Sequence, residues 1–331
     1  MTQIGRGGQH MTHEDLYLSV VAPFLNEEEA IIPFCEILRE TLDGLGREYE
    51  VLLVDDGSTD GTVETLLGLN WPSASIVCLQ RNVGHQVALD AGLKASRGRW
   101  VVTMDSDLQH PPHLIPEMLS AADDADVDVV YAAREAREED GPFKRVSASA
   151  YYRIVSRLTA VDVVPNAADF RLMSRRVVNI VNQVPDEKVF RVLLPYLGFS
   201  SVTVNYVAAT RIAGSSKYSL GKMIKLAVTS ALSFSSRPLR WIAEVGLGVS
   251  FLALAWLAFV VVSYLLGRTV EGWASVASIV LLIGGFQLLA IGIFGLYLGR
   301  LYDASTGRPQ FIVAETVSLA RQVQEDRVEE L

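Results

Sequence analysis

The chain has 331 residues, 50% of them hydrophobic, and a formal net charge of -9. That length and apolar content suffice for a sizeable core in one large domain or two, and the acidic balance argues against a nucleic-acid partner. The two cysteines, Cys35 and Cys78, lie in apolar or mixed surroundings without metal-ligand spacing, which fits reduced structural thiols better than a disulfide.

Residues 1–15 are polar and without period, so a disordered leader is expected, and no apolar segment there resembles a signal peptide. From Leu16 onward strand-like and helix-like patterns alternate. "LYLSVVAPF" reads as a strand, Ala30 to Leu45 as an amphipathic helix, "EVLLVD" as a strand and Thr62 to Leu69 as a helix. "SIVCL", a helix from Gln86 to Ser96, "WVVTMD", a helix from His113 to Ala122, and "DVVYAA" continue the series. All-apolar strands alternating with helices imply an α/β domain with a mostly parallel sheet covered on both faces. Ligands bind such sheets outside the C-terminal strand ends. The polar stretches "PFLNEEE", "DDGSTDGT", "RNVGHQ" and "DSDLQH" fall at four successive ends and suggest one composite site. There is no G-x-G-x-x-G after the first strand and no P-loop pattern, so a nucleotide, if bound, is held another way.

The stretch "WVVTMDSDLQHPP" carries the sharpest local signal. If strand geometry persists through Ser106, Asp105 and Asp107 point the same way, and two like charges held that close repel unless a cation sits between them. The alternative is a solvated turn in which an Asp caps the next helix.

Towards the C-terminus the chain is uncharged from Val245 to Leu266 and again from Trp273 to Leu298. Each run exceeds the roughly 20 residues that cross a bilayer core as a helix. Membrane spans are expected rather than buried core helices, because nothing else in the C-terminal third could surround them. Arg237 and Arg240 precede the first run, Arg300 and Arg308 follow the second, and the connector "GRTVEG" is short, which places both chain ends in the cytoplasm. From Arg211 to Ala243 there is no acidic residue, and Leu220, Met223, Ile224, Ala227 and Val228 recur at helical spacing. That pattern describes helices at the membrane interface, with Lys222 and Lys225 towards headgroups, or else an ordinary core helix. After the second run "GRPQFIV" is expected to return to the catalytic domain and "EDRVEEL" to form a solvated tail.

In order and spacing, "VVAPFLNEEE", "VLLVDDGSTDGT", "RNVGHQVALDAGLKASRG", "MDSDLQHPP", "DFRLMSR" and "RIAGSSKYS" resemble the family 2 glycosyltransferases of GT-A fold. The nearest group is the polyprenyl-phosphate glycosyltransferases, which includes dolichol-phosphate mannose synthase and bactoprenol glucosyltransferase. The resemblance spans about Leu18 to Leu298. It implies an inverting transfer of one sugar from a UDP- or GDP-linked donor to a polyprenyl phosphate of undecaprenyl or decaprenyl type. It also implies a multi-pass protein of the inner (cytoplasmic) membrane, in contact with membrane lipids and with its catalytic domain in the cytoplasm. A homo-oligomer is compatible with it.

Residue by residue, the resemblance makes Asp105 and Asp107 the holders of Mg2+ or Mn2+ and of the diphosphate, with Ser106 and Gln109 beside them. A divalent ion held by carboxylates neutralises the charge that develops on a leaving nucleoside diphosphate. Pro23, Leu25, Asn26 and Glu27 would line the base and ribose pocket, and Asp55 would accept a hydrogen bond from the base; plain turn and cap chemistry is the alternative for Asn26 and Asp55. Arg134, Lys144 and Arg145 match phosphate-contacting positions, and Arg145, Arg211, Ser215, Ser216 and Lys217 would receive the acceptor phosphate. Asp169 is the family's usual candidate for the base. A phosphate monoester has a second pKa of about 6 and is mostly dianionic at neutral pH, so a strong base is not needed. Asp169 is therefore read as positioning the acceptor, with proton abstraction or a contact with Arg171 as alternatives.

The implied organisation is a leader (1–15), a GT-A domain (16–210), an acceptor loop with interfacial helices (211–241), a transmembrane hairpin (242–299) and a cytoplasmic tail (300–331). A processive polysaccharide synthase would want a Q-x-x-R-W motif and more spans, and neither is seen. A non-catalytic anchor or flippase would want an ionisable pathway, and the two runs contain no such residue.

Overall fold

The computed structural model describes residues 16–134, 167–184, 188–206, 237–266 and 272–320. Among them, eight strands form one sheet: β1 (Leu18–Phe24), β2 (Tyr49–Asp55), β3 (Ala74–Leu79), β4 (Trp100–Thr103), β5 (Val129–Arg134), β6 (Ala167–Ser174), β7 (Ser201–Tyr206) and β8 (Val313–Ser318). Their order is β7-β5-β6-β4-β1-β2-β3-β8. The block β4-β1-β2-β3 is parallel, as expected for strands whose side chains are apolar on both faces, and every residue of β1 and β4 is buried. β6 runs antiparallel to both β4 and β5, and β8 antiparallel to β3.

Packing on the sheet follows from sequence spacing. In α1 (Ile31–Asp43), Ile31, Phe34, Cys35, Leu38 and Leu42 recur every three or four residues and form the buried stripe. Of α2 (Thr62–Leu67) and α3 (His85–Ala95), α3 lies especially close to the sheet. A Cβ added at its Gly92 would fall 2.3 Å from Val21 Cγ1 and 2.9 Å from Val54 Cγ2. Only a residue without a side chain permits that approach of α3 to β1 and β2. The helix expected from His113 starts as a 3-10 turn at Pro112–Leu114 and continues as α4 (Ile115–Ala125), because Pro112 and Pro116 lack the N–H that a helix interior uses.

α5 (Arg175–Asn182) and α6 (Phe190–Leu197) separate β6 from β7. The chain then enters two long helices, α7 (Arg237–Leu265) and α8 (Trp273–Thr306), over the two uncharged runs. The fold divides into two compact units, one built on the sheet and one holding α7 and α8. Counting only described residues, no helix is long and apolar enough to cross a membrane; the side chains described in α7 and α8 are a subset of each helix.

The return expected at "GRPQFIV" goes further than anticipated. Gln80 N–H donates to Ile312 O at 3.0 Å, and Val313–Ser318, set within the tail in the sequence reading, is a full edge strand on β3. Both cysteines are free thiols, as expected, and buried.

Candidate active site

Register sets the C-terminal ends of β1, β2 and β4 side by side: Phe24 lies opposite Asp55, and Val21 opposite Thr103. Three turns converge there. The Asp55 carboxylate accepts the Ser58 N–H at 2.9 Å, while Asn26, left-handed at φ 55, accepts the Thr59 N–H at 2.8 Å and donates its own N–H to Ser58 Oγ at 3.0 Å. Asn26 and Asp55 thus perform turn chemistry that shapes the walls. The Glu27 N–H bonds Thr62 Oγ1 at 3.0 Å, and Leu25 stays exposed. Gly57 is left-handed at φ 78, and a Cβ there would lie 2.7 Å from Asn82 N, so the turn after β2 presses against the loop after β3. Buried Asp56 accepts the N–H groups of Val83 (2.7 Å) and Gly84 (3.0 Å), which positions the start of α3.

β4 ends at Thr103, so strand geometry does not persist through Ser106 and the two carboxylates part company. Asp107 turns onto Gln109, accepting its N–H at 3.1 Å and its side-chain amide at 2.5 Å. Ser106 is buried and donates to the Pro23 carbonyl at 3.1 Å, tying this turn to β1. Asp105 faces His85, His110 and Asp169. His85 Nε2 is 3.2 Å from Asp105 Oδ1 and 3.6 Å from Asp169 Oδ2, and His110 Nε2 is 3.6 Å from Asp105 Oδ2. Asp105 Oδ1 is buried and accepts no hydrogen bond, although His85 Nε2 stands 3.2 Å away. Burial pushes Asp105 above the ordinary carboxylate range; His110 and His85 pull against that, and Asp169 and Asp107 add to it.

Asp169 reaches the site on antiparallel β6. Its Oδ1 pairs with the Arg171 guanidinium, and its Oδ2 accepts from Gln86 Nε2 at 3.3 Å and faces His85. Burial alone would raise this carboxyl, but Arg171 and the His85 contact outweigh it and hold Asp169 well below the usual range. For His85 the balance has the opposite consequence: desolvation lowers its proton affinity, and Asp169 and Asp105 more than restore it. Arg134 ends β5 beside Tyr206 of β7. Burial lifts the Tyr206 hydroxyl to about 12, against the pull of Arg134 and with a push from Asp105 and Asp107.

The structure therefore gathers Pro23, Leu25, Asn26, Glu27, Asp55, Asp105, Ser106, Asp107, Gln109, Arg134 and Asp169 at the strand ends. Lys144, Arg145, Arg211, Ser215, Ser216 and Lys217 lie outside the described residues. His85, Gln86 and His110 received no role in the sequence reading, although "RNVGHQ" and "DSDLQH" placed all three at strand ends.

The donor set fits a hard divalent ion. Asp105 offers a buried carboxylate oxygen without a hydrogen bond. Among the described residues no group of three or more His, Cys, Asp or Glu is arranged to hold a metal; Mg2+ in general takes few protein ligands and completes its shell with water and phosphate oxygens.

A sheet parallel through its centre, with acidic and amide side chains collected at its C-terminal edge and one antiparallel strand delivering a further carboxylate, is the arrangement of a GT-A fold. The structure of glucosyl-3-phosphoglycerate synthase from Mycobacterium tuberculosis, in complex with Mn2+ and UDP-glucose, is similar in fold, with TM-score 0.50 and 20% identity over 68% of this chain and 80% of that one. The chain belongs to glycosyl transferase family 2, whose family model matches residues 19–180. It is 36% identical to a bactoprenol glucosyl transferase of Shigella phage SfV, over 89% of this chain and 97% of the relative. An uncharacterised glycosyltransferase of Bacillus subtilis is 37% identical over 91% of this chain and 94% of its own length. The protein is an enzyme, a sugar transferase.

Proposed function

We propose that the enzyme moves one sugar, with inversion, from a UDP- or GDP-linked donor to polyprenyl phosphate at the cytoplasmic face of the membrane. The observation that carries this reading is the state of Asp169. Both its oxygens are engaged, by Arg171 on one side and by Gln86 and His85 on the other, so it is a poor proton acceptor. A hydroxyl nucleophile would need a base at this place. A phosphate monoester does not, being mostly dianionic above its second pKa of about 6. The bactoprenol transferases among the relatives support the same acceptor class.

In this reading Asp105 and Asp107 hold Mg2+ or Mn2+ with the donor diphosphate, and the ion supplies charge neutralisation for the leaving group. Pro23, Leu25, Asn26, Glu27 and Asp55 bound the nucleoside pocket, Ser106 and Gln109 keep the diphosphate turn in shape, and Arg134 adds positive charge. Asp169 orients the acceptor. Arg145, Arg211, Ser215, Ser216 and Lys217 receive its phosphate, since a second polyanion beside the first needs cations of its own.

We further propose that α7 and α8 form a membrane hairpin. Along them Leu247, Phe251, Leu252, Trp256, Leu288 and Ile291 are more than half exposed, and leaving such surface in water costs about 25 cal/mol per Å². Their sequences are uncharged from Val245 to Leu266 and from Trp273 to Leu298, long enough to span a bilayer core. Incubating the purified protein with polyprenyl phosphate and a panel of UDP- and GDP-sugars, then weighing the lipid, tests the whole reading. The added mass of one sugar from one donor is expected; free sugar with an unmodified lipid would contradict it.

A further inference from the structure

Buried His110 holds Asp105 at two places. The Asp105 backbone N–H donates to His110 Nδ1 at 2.9 Å, and the other ring nitrogen, Nε2, faces Asp105 Oδ2 at 3.6 Å. A backbone N–H can only donate, so Nδ1 carries a lone pair and the ring proton sits on Nε2, towards the carboxylate. The ring itself is clamped. It is 5% exposed, stacks on Phe170 at 5.4 Å with 24° between planes, and meets Tyr206 edge-on at 6.4 Å. Phe170 lies between Asp169 and Arg171 on β6, and Tyr206 ends β7. One imidazole thus ties the turn after β4 to the strand that carries Asp169. The two oxygens differ: Oδ2 is turned towards His110, while buried Oδ1, 3.2 Å from His85 Nε2, accepts no hydrogen bond.

We infer that His110 is a positioning residue that presents Asp105 Oδ1 to the divalent ion, an inference that rests on the metal reading of the site given above. In this inference the ring acts through Asp105 rather than as a ligand of the ion. It sets the rotamer of Asp105, whose buried Oδ1 accepts no hydrogen bond, and keeps the turn from closing that oxygen onto its own backbone, as Asp107 does with Gln109.

The test is Mn2+ binding to the full-length protein in detergent, followed by the loss of the free-ion electron paramagnetic resonance signal, with UDP or GDP present. His110→Phe keeps the ring stack and removes both nitrogens. It is expected to weaken Mn2+ by about 10–100-fold, the usual effect of losing a hydrogen-bond partner behind a metal ligand. His110→Asn, whose amide oxygen can take the place of Nδ1 and accept the Asp105 N–H, is expected to recover Mn2+ affinity to within about threefold of wild type, less than 1 kcal/mol. A purely structural role would lower the melting temperature of His110→Phe without such selective rescue. If His110→Phe does not fold, His110→Gln replaces it, since its longer amide reaches the Nε2 side and leaves the Asp105 N–H unpaired; the same loss is expected. Wild-type Mn2+ affinity in a folded His110→Phe or His110→Gln protein would overturn the inference alone. A wild-type protein that takes up no Mn2+ with either nucleotide would overturn the metal reading and this inference with it.

Discussion

Thr103 lies opposite Arg171 in the antiparallel β4–β6 pair, and its hydroxyl donates to the Asp169 carbonyl at 2.9 Å. His85 Nε2 faces both Asp105 and Asp169, so a strand more than sixty residues further along the chain completes the site that β4 begins. Asp169 is held ionised there, and this has a signature in acid. Its folded-state pKa lies below its ordinary value of 3.8, so its stabilising contribution is fully present above that pH and is lost as the pH falls below it. Asp169→Asn should therefore be less stable than wild type at neutral pH. The gap in denaturant unfolding should shrink below about pH 4. A gap that stays constant through that range would contradict the assignment.

Asp105→Asn removes the charge from a carboxylate whose Oδ1 is buried and without a hydrogen bond. Transfer should fall by about 10²–10³-fold, the scale of losing one electrostatic stabiliser of a leaving group, and EDTA should silence the wild-type enzyme reversibly. The melting temperature should hardly change, because Asp105 stands on a turn beyond β4 rather than in the core. Full activity in EDTA would remove the metal from the reaction.

Buried Lys188, just before α6, pairs with buried Asp90 on α3, and Lys94 joins the same carboxylate at 2.8 Å. Burial lowers the Lys188 proton affinity, and Asp90 opposes that shift. Lys188→Met should cost about 3 kcal/mol, the low end for breaking a buried pair, because half-exposed Lys94 still partners Asp90. Asp90→Asn should cost more, since Lys188 would then be left as a buried cation. Denaturant unfolding of the two variants decides the order.

The proposed hairpin has a topological consequence that the native thiols make easy to read. Burial pushes the Cys35 thiol up to about 12 and Cys78 to about 11, so neither should react with a thiol reagent in the folded protein. Cysteines introduced as Thr269→Cys and Arg327→Cys should then label against a silent background, from opposite sides of the membrane. Labelling of both from the same side would refute the two-span topology.

Arg211 begins the acid-free basic stretch that precedes α7. Arg211→Ala should weaken polyprenyl phosphate by about 1.5–3 kcal/mol, the loss of one charge-assisted contact, with donor binding little changed. Titrating each ligand separately settles it: weakened donor with unchanged acceptor would reverse the roles.

Much of this protein was legible without a structure, because its signals are local. All-apolar β-branched runs, period-3.6 patterns and turn residues marked β1 to β5 and α1 to α4 to within a few residues. The acidic and amide side chains that ended each strand already marked the candidate binding edge, since parallel strands bring their C-terminal ends together whatever else the chain does. Tertiary structure decided what those side chains do. Asp105 and Asp107 are two residues apart in sequence, yet one turns onto Gln109 and the other towards two histidines, because β4 stops at Thr103. Asp169 resembles a base in sequence and is a tied-down anion in the fold, since antiparallel β6 places Arg171, His85 and Gln86 around it. β8 joins the sheet next to β3 across more than two hundred residues. Pairing register and the partners of a buried charge depend on contacts far apart in the chain, and no local pattern encodes them.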